Sequence, residues 1–115
     1  MAAVSLTKAN NGQSIEVRQG DEIILRLPEN PTAGYGWHVD RADGLLLELS
    51  EHTTGSDQPD PHPRPGKGGV REFRFRAKEP GARRLDLKHW REWEGERSVT
   101  ERFGVDIEIL GSPHR

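Results

Sequence analysis

The stretch SVTERFGVDIEIL, Ser98–Leu110, decides the fold, because Val99, Phe103, Val105, Ile107 and Ile109 share one parity with charged residues such as Asp106 and Glu108 between them. A period of two is the signature of a half-buried β-strand. Working outward, VREFRFRA (70–77) sets Phe73, Phe75 and Ala77 against Arg74 and Arg76, and RRLDLKHW (83–90) sets Leu85 and Leu87 against Arg84, Asp86 and Lys88. Both read as strands with one wet face. Shorter apolar segments follow at Ile15 and Val17, at Ile23, Leu25 and Leu27, at Trp37 and Val39, and at Leu45–Leu49, separated by RQGD, NPTAGYG and RADG. Of these, only LLLEL (45–49) could equally be a helical turn.

About seven or eight short strands punctuated by turns predict an all-β fold, and an immunoglobulin-like antiparallel β-sandwich is favoured over a small barrel. The chain has no cysteine, so it lacks the Cys…Trp…Cys spacing of a true immunoglobulin domain. Its 115 residues predict one domain, 1–115, built on one core. Hydrophobic residues are 31% of the chain, and with the 13 glycines the apolar share is about 42%, slightly below the ~45–50% of an average soluble domain. A compact core under a charged surface is expected.

Several functions are disfavoured at this level. With 17 Lys and Arg against 19 Asp and Glu, the net charge of −2 offers no general attraction to nucleic acid or to an anionic membrane. The absence of cysteine removes disulfides, thiolate metal sites and a cysteine nucleophile together. No G-x-S-x-G, H-E-x-x-H or Gly-rich phosphate loop occurs, so no catalytic residue and no cofactor are expected. The N-terminus MAAVSLTKANNGQSIEV has neither a basic n-region nor a long apolar run, predicting no signal peptide or membrane span; a native N-terminus would mean a cytoplasmic protein, and a removed leader an exported one.

Three loops carry the functional signal. In NPTAGYGW, Pro31 fixes its own φ and pushes Asn30 toward extended backbone, Thr32 and Ala33 keep the apex small, and Gly34 and Gly36 allow unusual backbone angles. The result is a narrow, blunt wedge with a stiff entry, although the same residues also serve a plain strand connection. GKGG (66–69) leaves bare backbone for edge pairing with another chain, or is a flexible lead-in to the next strand. In KHWREWEGE (88–96), two tryptophans and an arginine lie between strands, residue types that dominate binding hot spots, while Trp90 or Trp37 is expected to be core. Between the first two lies a long irregular segment, 51–69, with prolines at 59, 61, 63 and 65 and with His52, Asp57, Asp60 and His62, whose spacing matches no strong metal pattern.

Together and in this order, NPTAGY, GKGG and REW resemble the NPT(T)G(Y/F), GxGG and RPW loops of the chagasin-type inhibitors of papain-family cysteine proteases. The flanking TKANNGQSIEV, GDEIILRLP and ERFGVDIEI segments are also similar to that family's strands. The resemblance implies a reversible, tight-binding inhibitor, expected to be a monomer, that occludes a papain-like active-site cleft with three loops. It implies protease contacts from Asn30, Pro31, Thr32, Ala33, Gly34 and Tyr35, from Gly66, Lys67, Gly68 and Gly69, and from Arg91, Glu92 and Trp93, with Tyr35 bracing its loop from within. Two departures stand out: Ala33 replaces a second Thr, and Glu92 replaces the Pro of RPW, which predicts a third loop less preorganised by roughly 0.4–1 kcal/mol. The alternative is a non-enzymatic adhesion or carbohydrate-binding sandwich that uses its exposed tryptophans.

Overall fold

The computed structural model describes residues 2–30, 34–54 and 69–112. Among the described residues, eight strands form two four-stranded sheets. In chain order they are β1 (Ala3–Thr7), β2 (Ser14–Arg18), β3 (Glu22–Glu29), β4 (Gly36–Ala42), β5 (Leu45–Thr54), β6 (Gly69–Ala77), β7 (Gly81–Trp90) and β8 (Glu101–Leu110). One sheet runs β1-β3-β6-β5 and the other β2-β8-β7-β4, which is the expected sandwich.

The alternation read from sequence is what the sandwich buries. In β8, Phe103, Val105, Ile107 and Ile109 point inward, as do Ile23, Leu25 and Leu27 in β3, Phe73, Phe75 and Ala77 in β6, and Leu85 and Leu87 in β7. Trp37 joins this core, while Trp90 is only half-buried. LLLEL is strand and not helix: it pairs with β6 through a bulge between Leu47 and Leu49, which leaves Leu46 and Leu47 exposed at the sheet edge. Five consecutive apolar or long side chains carry no readable period, so the pairing with β6 decides the matter.

The sandwich is antiparallel at its centre but not throughout. β3, β4, β5, β6, β7 and β8 pair antiparallel with their neighbours, whereas the outer strands β1 and β2 run parallel to β3 and β8. Alternation reports which face a residue occupies and is silent about direction. Parallel partners need a crossover, and here the chain supplies it by visiting the opposite sheet: β1 and β3 are separated by β2, which lies across the core.

Candidate functional site

Register brings the three loops to one end. Glu29, the last residue of β3, pairs with Gly69, the first of β6; in the other sheet Gly36, the first of β4, pairs with Trp90, the last of β7. The β3–β4, β5–β6 and β7–β8 connections therefore leave the same edge of the sandwich.

In the first loop Asn30, Gly34 and Tyr35 are described, and Pro31, Thr32 and Ala33 lie outside the described residues. Gly34 has φ 82°, the left-handed region that favours glycine. A Cβ there would also come within 2.3 Å of the Trp93 ring, so the indole of the third loop lies directly on the backbone of the first. Tyr35 is half-buried: its ring stacks on His89 at 5.7 Å and carries the Arg91 guanidinium 4.6 Å from its centre. Tyr35 thus joins the first loop to β7 and the third loop.

Glu29 closes the neck of this loop. Its carboxylate is buried and accepts the Trp37 backbone N–H at 2.7 Å, while the Trp37 indole N–H donates to the Pro28 carbonyl at 2.9 Å. Arg71 Nε donates to the same carboxylate at 3.1 Å and His52 Nδ1 lies 2.8 Å from it. Burial pushes the Glu29 carboxyl up, but the Trp37 N–H, Arg71 and His52 together outweigh it and hold the group below the ordinary carboxylate range. The sequence signal for this residue is parity, since Glu29 continues the inward series Ile23, Leu25, Leu27.

The third loop is more ordered than a simple connection. Residues Glu92–Ser98 form short 3-10 turns that kink at Gly95. Buried Ser98 holds them closed: its Oγ accepts the Arg91 N–H at 3.0 Å and lies 2.9 Å from the Arg91 carbonyl and 2.7 Å from the Gly95 carbonyl, to which it can donate. The Glu96 carboxylate receives Lys88 Nζ at 2.5 Å and Arg102 at 2.6 Å, and Arg91 pairs with Glu94 at 3.3 Å. The Glu96 hydrogen bond, aided by Asp40, raises the Lys88 pKa against desolvation. Trp93 emerges from this frame 71% exposed, with Glu92 exposed beside it. Trp90 is instead half-buried on the outer face of its sheet, with Lys88 Nζ 3.8 Å from its ring centre and its indole N–H donated to His38.

Of the second loop only Gly69 is described; Gly66, Lys67 and Gly68 lie outside the described residues, as do Asp57, Asp60 and His62. Gly69 is required by close approach, because a Cβ there would sit 2.0 Å from the Thr53 carbonyl oxygen. His52 is turned toward Glu29 and away from any ligand role through Nδ1.

Fold and site together define a two-sheet β-sandwich that gathers its β3–β4, β5–β6 and β7–β8 connections at one end. Residues 16–107 match the model of the Chagasin family peptidase inhibitor I42, and the chain belongs to that family. It is 31% identical over 101 residues to chagasin from Trypanosoma cruzi, covering 87% of this chain and 92% of that protein. Its fold is shared by the cysteine protease inhibitor EhICP2 from Entamoeba histolytica, at 23% identity and a TM-score of 0.80 over 95% of this chain and 96% of that one. PbICP-C, solved in complex with falcipain-2, has a similar fold at 13% identity and a TM-score of 0.54 over 95% and 99% of the two chains.

Proposed function

We propose that the protein is a reversible, tight-binding inhibitor of papain-like cysteine peptidases that fills the active-site cleft with the loops 30–35, 66–69 and 91–93. The observation that carries this reading is the contact between separate loops: Trp93 lies on Gly34 and Arg91 on Tyr35, so the first and third loops present one continuous edge. Membership of a peptidase-inhibitor family supports the same conclusion. The first loop is the central wedge over the catalytic Cys and His of the protease, the second runs along one wall in strand-like pairing, and Trp93 packs on the other. Such an interface buries about 800 Å² on each partner.

Titration of papain with the purified protein should abolish peptide-substrate turnover at stoichiometric amounts and leave the inhibitor chain intact by mass spectrometry. Serine proteases should be unaffected. Trp93→Ala should weaken binding by ~2 kcal/mol or more, whereas Lys78→Ala, at the opposite end of the sandwich, should have little effect. Stoichiometric cleavage within residues 30–35 with recovery of activity would sink the proposal. A glycan-array signal that depends on Trp93, with papain untouched, would favour the carbohydrate-binding alternative.

A further inference from the structure

We infer that Glu29 is a positioning residue of the inhibitory edge, its buried carboxylate tying the roots of the first and second loops to one another. The inference rests on the inhibitor reading for its functional consequence and on geometry for its mechanism. β3 and β4 lie in different sheets, so no backbone ladder closes the first loop at its neck. Glu29 Oε2 does so by accepting the Trp37 N–H at 2.7 Å, and it sits 3.3 Å from where a Cβ on Gly36 would lie.

The other carboxylate oxygen serves the second loop. Oε1 accepts from Arg71 Nε at 3.1 Å, has the Nη2 of the same guanidinium at ion-pair distance, 3.0 Å, and meets His52 Nδ1 at 2.8 Å. His52 lies on β5 and Arg71 on β6, the two strands that flank the second loop, and they pair across the sheet. The His52 ring reaches the first residue of β6, its Nε2 3.0 Å from where a Cβ on Gly69 would lie, and that nitrogen has no hydrogen-bond partner among the described residues. One carboxylate therefore holds both loop roots, and neither can shift without leaving a buried charge or donor unpaired.

Stability alone does not call for this arrangement. At the opposite end of the same core Ile23 faces Phe75 and Val17 faces Ile109, and the buried carboxylate there, Asp21, accepts backbone N–H groups of Ala2 and Arg18 instead of binding side chains of neighbouring strands. Apolar side chains of similar volume usually stabilise a core as well as a buried ion pair or better. The polar cluster occupies the end that carries the loops, where fixed geometry has a use: loops ordered at folding need not be ordered on binding.

The test compares Glu29→Gln with Ile109→Ala, a core truncation at the far end, using hydrogen exchange, thermal unfolding and the inhibition constant for papain. Glu29→Gln should speed amide exchange at Trp37 and at residues 69–71 together, and raise the inhibition constant about tenfold. Ile109→Ala should lower the unfolding temperature at least as much, yet leave the inhibition constant within about twofold of wild type. If Glu29→Gln does not fold, Arg71→Lys, which keeps the charge but loses the fork, should show the paired exchange change in milder form. Faster exchange confined to Trp37, or an inhibition constant that merely follows unfolding temperature across the variants, would overturn the inference. Should the wild-type protein leave papain-like proteases uninhibited, the functional reading fails while the exchange measurements still decide whether Glu29 couples the two roots.

Discussion

Glu92 stands where an RPW-like loop has proline, and the backbone around it is already suited to one. Arg91, with φ −96° and ψ 111°, has the extended conformation that a residue before proline requires, and Glu92 opens a helical run, where the missing N–H of proline costs little. Glu92→Pro should therefore lower the ordering cost of the loop by roughly 0.4–1 kcal/mol, and slow dissociation from papain about two- to fivefold. Surface plasmon resonance on the variant checks this, with Glu92→Gln as the control for lost charge. Equal effects from Gln and Pro would mean that electrostatics set the difference; weaker binding by Pro alone would mean that the native φ or N–H is needed.

At the scale of the element, the third loop has a substitute for the missing proline in Ser98 and Glu96. Ser98 Oγ satisfies the Arg91 N–H from seven residues away, and Glu96 ties the turns to Lys88 and Arg102 on the flanking strands. Ser98→Ala leaves the Arg91 N–H without its acceptor, which should cost ~1–3 kcal/mol of stability. Thermal unfolding measures that loss. Because the released segment carries Trp93, papain binding should weaken as well; unchanged binding would show that Trp93 is held by its contact with Gly34 and not by the loop frame.

For the whole molecule, acid stability follows from four carboxylates held below their ordinary range: Glu72 by Arg74 and Arg26, Glu96 by Lys88 and Arg102, and Asp21 and Glu29 by their own partners. In Asp21 the Arg18 and Ala2 backbone N–H groups are responsible; in Glu29 burial opposes the shift, and the Trp37 N–H, Arg71 and His52 overcome it. A depressed carboxyl contributes stability that is present above its unfolded pKa, ~4 for these groups, and lost as pH falls through the folded value. Urea-unfolding free energy should thus be nearly flat from about pH 7 to 5 and decline below about pH 4. Glu29→Gln should lower the plateau and make the acid decline shallower, because one of the four titrating groups is gone. An unchanged acid slope in that variant would place the titration elsewhere.

What the sequence determined by itself was the β-class, the inward faces of β3, β6, β7 and β8 and the three loops, because a period of two and turn residues are local properties of the chain. Strand direction and assembly were not local. Edge strands β1 and β2 show the same alternation whether parallel or antiparallel, and the leucines of 45–49 show none, so partners had to decide both. Glu29 had a readable parity but no readable purpose, since its partners Trp37, His52 and Arg71 come from three other strands. Likewise Ser98 and Gly34 gained their meaning only when folding set Arg91 and Trp93 beside them. Side-chain facing is written residue by residue, whereas which faces meet depends on the register of distant strands, and that register exists only once the two sheets close on a common core.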